Sequence, residues 1–308
     1  MDLSSGKTSS EELDEKTLRR YLGGTSLGAH ILYRDLTEEM EHTDPRNPLM
    51  ILTGVLGGTA MPGSGGITVA AKGALTGGAA STQAQGTFGA YLRLAGYIGI
   101  VIRGACDDWS YMAIDGDGNA EIRNASHLVG KDTFETVDAL VEEFDIRERD
   151  LSVASIGPAG EHLVRWSTVM VDKGHSAGHN GVGAVMGSKK LKAIAIPKSR
   201  ARVPVRDQVK LADVAARVRE PIINADAGIH QYGTLNGVQG NYATGSLPVR
   251  NYATNLWDVS DEEFEKFSGP WLHENFEPER GAVCWACSNN HCQMMTITEG
   301  PYAGDQSE

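Results

Sequence analysis

Short apolar runs broken by glycine fill the chain from about residue 48 to 125: "LMILTGVL", "ITVAAKG", "YIGIVIRG", "SYMAIDG" and "AEIRNA". Their length and β-branched content predict strands. "DGDGN" at 115–119, between the last two, predicts a hairpin turn. Helical spacing interrupts the series at "TFGAYLRLAGY", where Phe88, Leu92 and Leu94 can share a face. Upstream, "SEELDEKTLRRYLGG" predicts a helix with Ser10 as its cap and Gly23 and Gly24 as its stop, and a second helix follows over about 26–35. "KDTFETVDALVEEF" predicts an amphipathic helix capped near Asp132. "DLSVASIGPAGE", "VRWSTVMVDK" and "LKAIAIP" read as strands again. Beyond the charged, proline-bearing junction "KSRARVPVRDQ", "DQVKLADVAARVREPI" and "DEEFEKF" are helical and the rest is rich in loops.

Composition narrows the classes. The chain has 308 residues, 41% of them hydrophobic, which is enough for two ordinary domains with a sizeable core. Its net charge is −12, from 40 acids against 28 bases. A nucleic-acid binder needs a basic face, and so does docking on an anionic membrane; neither partner is expected. "LMILTGVLGGTAM" is too short and too glycine-broken for a spanning helix. With no export signal in view, a cytoplasmic setting is expected, and four cysteines there favour metal or redox chemistry over disulfides.

Three cysteines stand within nine residues, in "CWACSNNHC". Cys284 and Cys287 have the C-x2-C spacing by which two thiolates approach one metal centre, and Cys292 follows. Three local thiolates plus a distant fourth ligand suit a [4Fe–4S] cluster. Zinc with His291 is an alternative, although His291 and Cys292 are neighbours that converge on one ion only with strain. Ordinary buried thiols are the bland reading. Glycine is frequent, at 37 residues, and gathers in three loops: "GGTAMPGSGG" (57–66), "LTGGAASTQAQGTFG" (75–89) and "SAGHNGVGAVMG" (176–187). The last contains G-x-G-x-x-x-G, a pattern that can turn bare amides toward a phosphate. No acid follows the next strand, so a dinucleotide site is not expected. A tightly turned β domain needs the same glycines. His175 and His179 are four apart, yet Gly178 and Gly181 oppose the helix that would align them as ligands. Trp257, Trp271 and Trp285 read as core or interface anchors.

In order, "YLGGTSLGAHILY", "NPLMILTGVLGGTAMPGSGG", "FGAYLRLAGYIGIVIRGA", "SIGPAGEHLVRWSTVMVDK", "GVGAVMGSKKLKAIAIP", "GSLPVRNYAT" and "CWACSNNHC" with "TEGPYAG" resemble the tungsten- and molybdenum-dependent aldehyde ferredoxin oxidoreductases over nearly the whole chain. The resemblance implies an α+β fold. Residues 1–198 would form a mixed sheet-and-helix base domain for a tungsten or molybdenum bis-pyranopterin, and residues 199–308 would begin a mostly helical cluster-binding domain. It implies a portion of a larger enzyme that oxidises an aldehyde to a carboxylate and passes electrons through a [4Fe–4S] cluster to ferredoxin. A homodimer is compatible with it. Cys284, Cys287 and Cys292 would be cluster ligands. Gly65, Gly66, Gln83, Gly178, His179, Gly181 and Gly183 would line the pterin cofactor, with Mg bridging its phosphates. No catalytic acid or base is assigned. This chain departs from the family pattern at four places: Gly66 and His179 stand where arginines are usual, Gln83 where a magnesium-coordinating asparagine is usual, and the third cysteine comes one residue later. Losing two arginines removes bidentate phosphate contacts. The competing expectation is a non-enzymatic metal or iron–sulfur module derived from that family.

Overall fold

A computed structural model describes the chain except residues 226, 280–283, 290, 291, 293 and 308. It divides into two compact units: residues 1–208 with 284–286, and residues 209–283 with 287–308.

The first unit begins with α1 (Glu15–Tyr21) and α2 (Gly24–Asp35), followed by β1 (Leu49–Leu52), β2 (Ile67–Lys72), β3 (Ala79–Ala84), α3 (Phe88–Leu94) and β4 (Gly99–Ile102). It continues with β5 (Ser110–Ile114), β6 (Ala120–Asn124), α4 (Thr133–Phe144), β7 (Leu151–Ser155), α5 (Pro158–Glu161), β8 (Val169–Val171), β9 (His175–Ala177), α6 (Val182–Ser188) and β10 (Leu191–Pro197). Two sheets result. One is antiparallel, in the order β3-β2-β1-β4. The other runs β6-β5-β10-β7-β8-β9 and is antiparallel except for the parallel β5–β10 pair.

Strand alternation sorts the core into layers. Leu49 and Ile51 of β1 point into a central layer, together with Met112 and Ile114 of β5 and Ile194 and Ile196 of β10. Met50 and Leu52 face the other way and pack with Leu27, Ile31 and Leu32 of α2. On the far side, Tyr111, Val153, Ala193 and Ala195 pack with Val137 and Leu140 of α4. β1, β5, β7 and β10 are thus buried on both faces, which is why they read as continuous apolar runs. The α4 helix starts with a complete capping box between Asp132 and Glu135.

Two local expectations need correction. The first helix is capped by Asp14, whose carboxylate accepts from the Thr17 amide, not by Ser10. The second glycine loop contains a strand, β3, whose residues alternate between exposed and buried. Alanine, serine, threonine and glutamine give that alternation almost no hydrophobic contrast, so the pattern does not show in the sequence.

Lys189 is fully buried and donates to the carbonyls of Pro45 (3.0 Å) and Gly104 (3.2 Å). Burial first, and the Arg103 charge second, lower its pKa from the ordinary 10.5 to about 8. Between those values the unfolded chain binds a proton that the native chain does not, so stability should rise as pH rises from 8 to 10.5. Urea unfolding across that range, compared with Lys189→Met, checks this: the parent's rise should be largely absent in the variant.

The second unit holds α7 (Gln208–Ala225), α8 (Ala227–Tyr232), α9 (Val238–Ala243), α10 (Asp261–Glu265) and α11 (Gly269–Asn275). A small antiparallel sheet, ordered β11-β12-β13, joins Glu277–Glu279, Met294–Thr296 and Gln306–Ser307. The α10 helix has a capping box from Ser260 and Glu263. Tyr242, Trp257, Phe264 and Phe267 form an aromatic cluster in this unit. No described helix is long and apolar enough to cross a membrane.

Candidate cofactor-binding site

Cys284, Trp285 and Ala286 belong to the first unit although its continuous part ends at Gln208, some 75 residues earlier. Trp285 explains how. Its indole N–H donates to the Thr59 carbonyl (2.9 Å), in the first glycine loop. Its backbone amide donates to the Gly86 carbonyl (3.1 Å), at the end of the second. The ring meets Tyr91 edge-on at 6.3 Å, and the Lys198 ammonium lies 5.4 Å from its centroid. The Ala286 carbonyl accepts from the Gly63 amide (3.3 Å). Next to Trp285, the buried Cys284 thiol faces the Nε2 of His175, 3.5 Å away on β9, where the third loop begins. One tripeptide therefore touches the first two glycine loops and His175, the residue just before the third.

Asp172 braces the same corner. Its carboxylate accepts from the Thr87 amide and hydroxyl (3.0 Å each), the Ser152 hydroxyl (2.5 Å) and the Val153 amide (3.2 Å). Gly86, with φ +101°, is wedged against Asp172, Val171 and His175; a Cβ there would press on all three. Sequence reading passed over Asp172, because a carboxylate in "VMVDK" looks like a polar strand end.

Of the loop glycines, Gly65, Gly181 and Gly183 are buried, and a Cβ would fall on this chain's own backbone at Gly86, Arg165 and Thr168 respectively. Self-packing accounts for glycine at those three positions. Gly66 and Gly178 differ: the nearest atoms to a Cβ would be the side chains of Gln85 and Ser176, at 3.1 and 3.2 Å, with no backbone atom closer than 3.5 Å. The Gly65 carbonyl accepts from Gly89, and the Gly66 carbonyl from Thr53. The amides of Gly65, Gly66, Gly178 and Gly181 have no hydrogen-bond acceptor among the described residues. Bare amides of this kind suit an anionic or carbonyl-rich ligand.

His179 is exposed, and its backbone amide donates to Thr82 (3.1 Å). Gln83 is also exposed, but it is the next residue along β3 and faces α2. Its amide reaches Thr25 (3.5 Å), which also bonds Ser81 and Thr68. The structure brings His179 to β3 but leaves the Gln83 side chain on the opposite face of that strand from Thr82. His175 and His179 do not act as a pair: the first is buried and the second is not.

No disulfide links the four cysteines. Cys106 lies between β4 and β5 with its amide on the Lys189 carbonyl, and burial pushes its thiol pKa up, as for an inert packed cysteine. Cys287 and Cys292 are half-buried and belong to the second unit. Ser288, beside Cys287, keeps a buried hydroxyl without a hydrogen-bond partner among the described residues, while its carbonyl lies 3.2 Å from Nδ1 of His230. Among the described residues no three His, Cys, Asp or Glu side chains gather closely enough to hold one metal ion. His291 lies outside the described residues.

Fold and loops define an α+β protein whose first unit is a platform of two sheets, edged by glycine turns with unused amides. The comparisons give that platform a lineage. The aldehyde ferredoxin oxidoreductase N-terminal domain matches residues 1–198, and domains 2 and 3 of the same family match residues 213–308. The chain belongs to the aldehyde ferredoxin oxidoreductase family. It is 36% identical over 310 residues to the tungsten-containing aldehyde ferredoxin oxidoreductases of Thermococcus kodakarensis and Pyrococcus furiosus, covering 98% of this chain and 50% of each relative. It is 29% identical to the WOR-like subunit of an aliphatic sulfonate oxidoreductase of Pyrococcus furiosus, covering 100% of this chain and 50% of that protein. The chain thus spans about half the length of these relatives. Among solved structures, the active-site complex BamBC of benzoyl coenzyme A reductase shares the fold, with a TM-score of 0.81 and 24% identity over 100% of this chain and 47% of that one.

Proposed function

We propose that this chain is the platform-bearing portion of an oxidoreductase that converts aldehydes to carboxylates and delivers the electrons to ferredoxin. The carrying observation is the docking of Cys284–Trp285–Ala286 on the first two glycine loops and on His175, at the foot of the third, which sets a thiol beside the glycine turns. The names of the tungsten-containing relatives support the reaction class and the metal.

The residues fit the implied groups by donor chemistry. Of the unengaged amides, those of Gly66 and Gly178, which are not buried, suit the oxygens of a tungsten or molybdenum bis-pyranopterin. His179 is an exposed polar side chain for its periphery, whereas Gln83, the candidate toward a bridging magnesium, lies on the α2 side of β3. Cys284, Cys287 and Cys292 are the proposed thiolate ligands of a [4Fe–4S] cluster, and the orphaned Ser288 hydroxyl suits a sulfur acceptor. When bound, the metal–pterin centre supplies the two-electron oxidation of the aldehyde carbon and the cluster supplies one-electron relay. The half-reaction balances as aldehyde plus water giving carboxylate, three protons and two electrons. This chain's residues hold and shield. Trp285 packs against Tyr91 beside Cys284, and the buried thiol is kept from water, where oxidation would be faster.

Anaerobic purification with iron, sulfide, tungsten and molybdenum analysis tests the reading. Iron and sulfide in equal amounts, with a broad thiolate-to-iron absorption band, are expected. Cys284→Ser should lose most of that iron while keeping the parent's circular dichroism. Unchanged iron in the variant would remove Cys284 from the ligand set.

A second reading has one observation in its favour. Cys284 Sγ and His175 Nε2 are 3.5 Å apart, close to the ~3.6 Å edge of a tetrahedral zinc site built from ordinary Zn–S and Zn–N lengths. A non-enzymatic module would then carry zinc, without sulfide.

A further inference from the structure

Resting on the iron–sulfur reading above, we infer that His175 is a positioning residue for Cys284: its Nε2–H donates to the cysteine sulfur and raises the reduction potential of the centre that Cys284 ligates. Neither the similarity to relatives nor the cysteine spacing points to this residue. The juxtaposition is a product of the fold, across 109 residues of sequence.

Three features fix the pair. His175 is 8% exposed and sits at the start of β9, paired with Val171 across the β8–β9 turn. Gly86 leaves room for the ring, since a Cβ there would come within 3.0 Å of His175 Cδ2. Cys284 is 5% exposed, and the two Trp285 hydrogen bonds hold its backbone against the first unit. The sulfur therefore has little freedom to leave the imidazole.

Proton accounting sets the direction of the bond. In a metal-free chain the S–H can donate to Nε2, or Nε2–H to sulfur. A metal-bound thiolate carries no proton, so donation from Nε2–H is what remains. That bond places partial positive charge on the sulfur. The reduced centre is the more negative state and gains more from it, most of all where water is excluded. The inferred effect is a shift of potential upward, with no change in ligand number.

The test uses the full chain, reconstituted anaerobically with iron and sulfide, and EPR-monitored redox titration. His175→Met fills similar space and cannot donate. His175→Gln keeps an N–H near the position of Nε2. The Met variant is expected to bind iron and sulfide as the parent does and to titrate at a more negative potential. A tenfold change in the reduction equilibrium corresponds to ~59 mV for one electron. The Gln variant should return toward the parent. A purely structural role would lower iron content or melting temperature in both variants without this ordering. Met at the parent's potential, or Gln displaced as far as Met, would overturn the inference and leave the iron–sulfur reading standing. A parent chain that takes up zinc without sulfide, or no iron, would overturn both.

Discussion

Gly181→Ala is expected to destabilise the first unit by about 3–5 kcal/mol, whereas Gly178→Ala, three residues away, should cost under about 1 kcal/mol. Gly181 caps α6 with φ +68°, a conformation that costs an L-residue ~1–2 kcal/mol by itself. The larger part is steric. A methyl group would overlap the Arg165 carbonyl, so two backbone segments would have to part. Gly178 is exposed, has no positive φ, and would bring a methyl group only to the movable Ser176 hydroxyl. Thermal melts should show the contrast plainly, since 1 kcal/mol moves the midpoint of a unit this size by roughly 2–4 °C. Pterin content should follow the opposite logic. Gly178→Ala keeps the fold but crowds an open amide, so cofactor retained on purification should fall with the melting temperature unchanged. Full retention would mean that Gly178 does not face the cofactor.

Lys192→Met should unfold the first unit at markedly lower denaturant, with a loss of about 3–5 kcal/mol. Lys192 on β10 has a side chain 0% exposed, and its partner Glu161 on α5 is 6% exposed. The ammonium also donates to the Lys131 carbonyl (2.8 Å), and the Glu161 carboxylate accepts from the Gly130 amide (3.0 Å). Removing the cation strands a buried carboxylate, which costs more than the pair contributes when intact. The double variant Lys192→Met with Glu161→Gln should recover much of the loss, because no unpaired charge remains. Chemical denaturation of the two variants side by side measures the coupling. A double variant as unstable as the single would mean that packing at this site, and not charge, sets its stability.

Much of the fold was legible in the sequence. Strands buried on both faces appeared as apolar runs, and the helix after Asp132 carried its own capping signal. β3 was not legible, because its buried residues are alanine and threonine and its exposed ones are small or polar too. Gln83 shows the consequence. As a loop residue it was free to approach the third loop, but as a strand residue its direction follows from pairing with Thr68, on the side of α2.

The candidate site was legible by chemical type and not by arrangement. Clustered cysteines raised the expectation of metal chemistry, and glycine-rich turns that of close backbone approach. What they approach could not be read, and for Gly65, Gly181 and Gly183 the partner is this chain's own main chain. Residue order and local spacing therefore determined the elements, the family and the thiol set, since these depend on near neighbours. The union of His175, Gly86 and Trp285 around Cys284 depends on strand register and on the return of a distant tripeptide to the first unit. Only tertiary packing decided those, because contacts across a hundred residues are chosen by which surfaces can be buried together, and no local pattern records that choice.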